Sequence, residues 1–215
     1  MRDESTKTRI IEAAGPIFAA VGYESGTVRD ICKAAGVNVA SIKYYFGDKK
    51  NLYLETVNYA RKSRADRYPF PEWGDQTPPE EKLYAFVSSL LRRLTAMQDA
   101  PWQVNLLMRE LMKPNEACRM IVHEHFQPMF RQLLGLIDQL AGAPLQEETR
   151  LKIGFSIIGQ CLHYRYGTAV MDIMVSPGVR STFEIEQIAD HITKFTMQGL
   201  AGFAKVANPN RVNVE

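Results

Sequence analysis

The sequence predicts an all-α protein of about nine helices: a three-helix head built on a helix-turn-helix, followed by a larger helical bundle. Three observations carry this reading. Apolar residues recur at three- and four-residue spacing through most of the chain, and no stretch alternates apolar with polar residues as a half-buried strand would. Two caps and a glycine divide residues 27–46 into two short helices separated by a three-residue turn. A proline-rich break from Pro69 to Gln76, P-F-P-E-W-G-D-Q, interrupts the helical pattern and separates head from bundle. At 215 residues with 46% hydrophobic content, the chain can bury one or two substantial cores without disulfide or metal staples.

The first helix is expected over residues 6–21, with Ile10, Ala14, Ile17, Phe18 and Val21 on one face. Gly15-Pro16 lies in its interior, where proline removes a backbone donor and clashes one turn back at a cost of about 3 kcal/mol, so a local kink is expected there. Gly22 ends the helix. Thr27 caps the next one, Val28 to Ala35, whose third residue Asp30 places a carboxylate near the positive end of the helix dipole. Val28, Ile31, Cys32 and Ala35 form its apolar face. Gly36 stands where the helix needs a left-handed residue to stop, and Asn38 caps the following helix. Val37 before that cap and Ile42 four residues after it form a hydrophobic staple. Two short helices joined by a glycine turn make a helix-turn-helix.

Asp48 caps a fourth helix that runs to about Arg67, carries Leu52, Leu54, Val57 and Tyr59, and ends in a charged tail. Beyond the break, whose Phe70 and Trp73 are expected to dock on the bundle, Thr77-Pro78-Pro79-Glu80 supplies a cap, a proline at the first helical position and a glutamate at the third. Leu83, Phe86, Val87, Leu90, Leu91, Leu94 and Met97 then follow at helical spacing to about residue 98. A shorter helix is expected over 101–113, closed by Pro114, and a long one over 115–141 that Pro128 should bend. The last two are expected over 146–170 and 181–206, the second introduced by Ser181 with Glu184 three residues on. The domain reading is therefore residues 1–50 as the helix-turn-helix domain, 48–67 as a connecting helix, 68–207 as the bundle and 208–215 as a polar, disordered tail.

The net charge of +2 conceals an asymmetry: residues 1–67 hold 12 Lys/Arg against 8 Asp/Glu, and the remainder 14 against 16. A basic head on a mildly acidic body fits a nucleic-acid reader with a separate second domain. Cys32, Cys118 and Cys161 are widely spaced, odd in number and each set in a helical pattern, which fits buried thiols in a reducing compartment. No apolar run approaches the roughly 18 residues needed to span a bilayer, and the start M-R-D-E-S-T-K is too polar for a signal peptide. A cytoplasmic location with no membrane partner is the expectation.

If Ile42 and Phe46 point inward, the rotation of about 100° per residue turns Ala40, Lys43 and Tyr44 outward, with Ser41 and Tyr45 on the flanks. That face suits a major groove of double-stranded DNA edged by phosphates. Val39 and Ala40 can press on thymine methyls and Lys43 can reach a guanine, while the Ser41, Tyr44 and Tyr45 hydroxyls and Lys49 can hold phosphates. The plain alternative is a helical hairpin with a solvated face. In His123-Glu124-His125, residues two apart on a helix point about 200° away from each other, and Cys161 and His163 fail in the same way, so no metal site is expected. A Gly-rich phosphate loop, a nucleophile elbow and a paired zinc-ligand motif are all missing. Neither a cofactor, a catalytic residue nor enzyme activity is expected.

The motifs Thr8-Arg9-Ile10-Ile11-Glu12-Ala13-Ala14, Ile17-Phe18, Gly22-Tyr23, Thr27-Val28-Arg29-Asp30-Ile31, Ala35-Gly36-Val37 and Ser41-Ile42-Lys43-Tyr44-Tyr45-Phe46, then Lys49 and Leu52, resemble the N-terminal DNA-binding domain of TetR-family repressors. The resemblance covers residues 8–54, about a fifth of the chain, and is specific. It implies DNA contacts at Val28, Arg29, Val39, Ala40, Ser41, Lys43, Tyr44, Tyr45 and Lys49, to which the caps Thr27 and Asn38 are added as candidates. Lys43 stands where the family usually has tyrosine. Leu111 to Ala117, Val122 to His125 and Ile158 to Gly167 resemble, more loosely, the CecR subgroup, which implies a repressor of transport or drug-tolerance genes that leaves DNA on binding a small molecule.

In such proteins the C-terminal half forms the homodimer and the effector pocket. Pairing the last two long helices into a four-helix interface would set two copies of the 38–45 helix roughly 34–36 Å apart on a palindromic operator. Bundles hold ligands between helices, in apolar walls with a few polar groups. The candidate effector-binding residues are Trp102, Asn105, Met108, Arg109, Met112, Phe126, Phe130, Phe155, Gln160, His163 and Tyr164. The plain reading of each Met or Phe is core, and Arg109 has Glu110 and Glu116 nearby to pair with. For an anionic effector Arg109 is the expected anchor, because its planar fork can bind a carboxylate at two points.

Overall fold

The computed structural model describes residues 2–67, 69–95, 101–112, 116–142 and 145–207, and among them every regular element is helical. In chain order the elements are α1 (Arg2–Ser25), α2 (Val28–Ala35), α3 (Val39–Phe46), α4 (Lys49–Arg67), α5 (Pro79–Thr95) and α6 (Pro101–Leu111). Then come α7 (Glu116–Ile121), a π-helical turn (Val122–Phe126), α8 (Gln127–Ala141), α9 (Glu147–Tyr166), α10 (Thr168–Met174), α11 (Pro177–Arg180) and α12 (Ile185–Ala207). The excess over nine comes from three divisions. The expected 115–141 helix splits at the π-turn, the 146–170 helix splits at Gly167, and the four-residue α11 precedes α12.

The π-turn has a local cause. Pro128 has no N–H for the carbonyl of Glu124, and its ring would collide with that carbonyl, so the preceding five residues adopt the wider turn before α8 sets in. In α1, by contrast, the non-helical dihedrals fall at Gly22 (φ 81°, ψ 178°) and not at Gly15-Pro16, where the kink was expected. Two helix starts are also corrected. The amide of Lys82 bonds the carbonyl of Pro78 (3.0 Å), which makes Pro78 and not Thr77 the first-turn cap of α5. Ser181 closes α11, and α12 begins four residues later with the amide of Ile188 on the carbonyl of Glu184 (2.9 Å).

The chain folds into two compact units: α1–α4 with α6, α7 and the π-turn, and α5 with α8–α12. The unit changes after Arg67, and α6 and α7 belong with α1–α4 rather than with the rest of 68–207. The reason is geometric. At about 1.5 Å per residue, the eight-residue α2 and α3 are too short to cover α1 and α4, which carry apolar residues on more than one side. Leu106, Ala117 and Ile121 supply the missing cover, buried in one cluster with Ile10, Phe18, Ile31, Ile42, Leu52 and Val57.

In the other unit, α5 packs against α8, α9 and α12 through Leu83, Phe86, Val87 and Leu91, all fully buried. Phe70, from the proline-rich break, sits on Phe86 (ring centroids 5.2 Å apart) under the guanidinium of Arg93. The three cysteines are buried and none is in a disulfide among the described residues; burial pushes the Cys161 thiol up to about 12. The expected tail, 208–215, lies outside the described residues, as do residues 113–115 at the junction of α6 and α7.

Candidate nucleic-acid interface

Two caps set the helix-turn-helix. The Thr27 hydroxyl accepts from the Asp30 amide (3.1 Å) and donates to the Asp30 carboxylate (2.6 Å), fixing the start of α2. Gly36 ends α2 in the left-handed region (φ 65°, ψ 38°), which a side chain at that position would disfavour. Two residues on, Asn38 Oδ1 accepts from the amide (2.9 Å) and the hydroxyl (3.1 Å) of Ser41. Ile42 and Phe46 are buried, so the rest of α3 is turned outward: Val39 is 58% exposed and Tyr44 75%, with Ala40 and Lys43 beside them. Arg29, in the first turn of α2, is exposed as well.

The remaining candidates are engaged within the unit. Val28 and Tyr45 are half-buried and pack on its core, the Tyr45 ring meeting Tyr44 edge to face at 4.9 Å. Ser41, Thr27 and Asn38 spend side-chain atoms on the caps. Lys49 donates to the carbonyl of Glu24 (3.1 Å) and lies 4.6 Å above the Tyr23 ring, so one of its donors is committed to the last turn of α1. The sequence pattern did not disclose that contact, because it joins residues 25 apart.

Behind this surface the α6–α7 segment grips the head. The Trp102 ring stacks on Tyr59 (6.3 Å, 4° between planes) and fills a notch at Gly15, where an added Cβ would stand 2.4 Å from the indole. The Arg109 guanidinium donates to the Ala20 carbonyl (3.3 Å) and lies against Gly22, serving the open end of α1. The Tyr53 hydroxyl donates to the buried carboxylate of Glu110; burial and that bond raise the phenol well above its ordinary value. Ion pairs Lys50–Glu116 (2.6 Å) and Arg61–Glu124 (3.7 Å) lie at the edge. A glycine before a proline in mid-helix was the one legible trace of the Trp102 notch.

Residues 10–56 match the tetR family of bacterial regulatory proteins, and residues 79–200, more than half of the chain, match the C-terminal domain of the HTH-type transcriptional dual regulator CecR. The chain belongs to the TetR family. It is a DNA-binding transcriptional regulator of the helix-turn-helix type. Among its relatives, the dual regulator CecR of Shigella flexneri is 26% identical over 176 residues, 78% of each chain. The hemolysin II regulator HlyIIR superposes with a TM-score of 0.58 at 22% identity, covering 89% of this chain and 98% of that one. AibR, solved with isovaleryl coenzyme A and operator DNA, gives 0.60 at 18% identity, covering 88% and 97%. At these identities the structural likeness shows a common fold. Among the described residues, no helix of this TetR-family chain is long and apolar enough to cross a membrane, and no three His, Cys, Asp or Glu gather to hold a metal ion.

The effector candidates of this TetR-family regulator divide between its two units. Trp102, Asn105, Met108, Arg109, Met112 and Phe126 belong to the unit of the head. Of these, Trp102 and Arg109 are engaged with α1 and α4 as described, Asn105 and Met112 are exposed, and Phe126 packs on the head's core. Arg109 also lines a cleft of about 510 Å³ with Tyr53, Lys50 and Glu110. Phe130, Phe155, Gln160, His163 and Tyr164 belong to the other unit. There the Phe130 and Phe155 rings stack at 4.7 Å, Phe130 against Gly154, while Gln160 bonds its own helix at Ser156. Tyr164 lines a cleft of about 330 Å³ with Phe183 and His191, and His163 is exposed.

Proposed function

We propose that this TetR-family protein is a cytoplasmic repressor that binds a palindromic operator as a homodimer and is released by a small molecule. The observation that carries the first part is the outward face of α3, small, cationic and phenolic, on a frame capped at both helices. Val39 and Ala40 meet thymine methyls, Lys43 a base edge, and Arg29 and Tyr44 phosphates. Ser41 and Tyr45 reach phosphates from the flanks, and Lys49 does so with the ammonium donors that Glu24 leaves free. Thr27, Asn38 and Val28 act mainly by holding the helices in place.

Support for a dimer comes from α9 and α12. Phe155 is 63% exposed and Phe195 62%, and at Gly159, Gly199 and Gly202 an added Cβ would meet nothing within 4 Å. Bulky apolar groups beside open glycines suit close approach of a second pair of helices, and two copies would space the readers by one DNA turn, roughly 34–36 Å. An effector acts by preferring a spacing that DNA does not match; shifting the population from 1:99 to 99:1 takes roughly 10⁴-fold preference, about 5.5 kcal/mol. The AibR structure holds both an acyl-coenzyme A and operator DNA, which supports a ligand-responsive reading of this fold. The name dual regulator borne by the Shigella relative favours a second reading, in which the same head activates at some promoters.

The test begins by sequencing DNA retained by the purified protein and measuring affinity for the recovered operator at several salt concentrations. Tyr44→Ala and Arg29→Ala should each weaken binding by about 10- to 100-fold, and Arg29→Ala, which takes a positive charge from the phosphates, should also make the salt dependence shallower. If both bind like the wild type, the face is wrongly assigned. Sedimentation of Phe195→Asp reads the dimer, and a reporter with and without candidate compounds separates repression from activation.

A further inference from the structure

A cleft of about 660 Å³ opens at the start of α5, beneath the proline-rich break and beside α12, remote in sequence from every residue assigned to DNA or effector above. Lys82 lines it. This residue is only 9% exposed, its stem continuing the buried stripe of Phe86 and Leu90, and it makes no ion pair with any described residue. The stem is buried along that stripe while the ammonium keeps its access to solvent at the cleft, where it can meet an anion.

The end of α5 adds to the same polarity. Pro78 and Pro79 occupy the cap and first position, so no side chain closes the helix and the amides of Glu80 and Glu81 are left open at its positive end. Lys82 and this helix end together make a seat for a carboxylate. The surroundings are of the opposite sign. Glu72, Glu80 and Glu81 line the cleft with Asp190, which is paired to Lys194 at 2.8 Å. A bare anion would be repelled on approach, whereas a molecule carrying its own ammonium would be held at both ends. Trp73 and Tyr84 also line it, and aromatic rings can take an apolar side chain or an ammonium.

We propose that this cleft binds an amino-acid-type zwitterion, its carboxylate on Lys82 and the open end of α5, its ammonium among the surrounding glutamates, and its apolar side chain against Trp73 and Tyr84. The proposal goes beyond operator binding and is tested without DNA, so its failure leaves the repressor reading intact.

Isothermal titration of the full chain with L-phenylalanine, 3-phenylpropanoate and 2-phenylethylamine separates the two charges. L-phenylalanine should bind, and each half-molecule should bind at least about tenfold more weakly. Lys82→Met keeps the buried stem and removes the charge; it should weaken phenylalanine by at least about tenfold while leaving thermal unfolding in place. Should that variant fail to fold, Glu80→Gln with Glu81→Gln gives an independent readout: phenylalanine and phenylethylamine weaken, phenylpropanoate does not. Millimolar phenylalanine giving no heat, phenylpropanoate binding as tightly as phenylalanine, or unchanged affinity in Lys82→Met would each overturn the assignment.

Discussion

The notch at Gly15 allows a sharp test of how α6 is fastened to α1. An alanine there would place its Cβ 2.4 Å from the Trp102 indole, well inside contact distance, and the ring cannot easily yield because it also stacks on Tyr59. Forcing a methyl into such a site costs about 1–3 kcal/mol. Against this stands a helix-propensity gain of at most about 1 kcal/mol, itself reduced because a Cβ before Pro16 crowds the proline ring. Gly15→Ala should therefore destabilise the head by about 1–3 kcal/mol in the natural background. Trp102→Ala alone removes a half-buried indole and should cost about 2 kcal/mol, below the range for a fully buried one. In the double variant the obstruction is gone, and Gly15→Ala should cost close to nothing. The quantity measured is the coupling, about 1–3 kcal/mol, read by native-state hydrogen exchange of α1 amides so that the other unit does not obscure it. Equal losses from Gly15→Ala in both backgrounds would show that the indole does not occupy the notch.

Asn38→Ala removes the acceptor for the Ser41 amide and should cost about 1 kcal/mol, with operator affinity falling further than global stability because the start of α3 is what frays. Tyr53→Phe takes the hydroxyl from the buried Glu110 carboxylate and should lower urea stability by about 1–3 kcal/mol. The Tyr53 phenol is raised in the folded state, so its contribution is complete below the unfolded tyrosine value of about 10 and is lost as pH climbs through the raised value. Wild type should accordingly lose stability on the alkaline side, and Tyr53→Phe should flatten that limb; identical alkaline profiles would contradict the assignment. Arg109→Ala strips the guanidinium from the end of α1 and should cost about 0.5–1 kcal/mol, visible as faster exchange around Ala20.

The helix-turn-helix was legible because its signals are local. Thr27, Gly36 and Asn38 act on amides and dihedrals within three residues of themselves, and the structure places α2 and α3 at the expected bounds. What lay hidden depends on distant partners. Trp102 and Arg109 fall at helical spacing beside other large residues, and their contacts with Gly15, Tyr59 and Ala20, far back in the chain, leave no local mark in the sequence. The allegiance of α6 and α7 is of the same kind, for nothing within 101–126 records that α1 and α4 lack cover. Pro128 was recognised as a disturbance, but a proline specifies only a missing bond, and the form it takes, a π-helical turn over Val122–Phe126, was not legible. Nothing local in the sequence marks Lys82 for burial, since it sits at a cleft that residues of the proline-rich break and α12 also line.

The chain leaves the head's unit after Arg67, returns for α6 and α7, and leaves again at Gln127. A gene cut at the proline-rich break would therefore strip Leu106, Ala117 and Ile121 from the interior they complete. Hybrid regulators made by transplanting residues 1–67 onto a foreign sensor would inherit an unfinished reader, and such grafts have to carry the returning segment along.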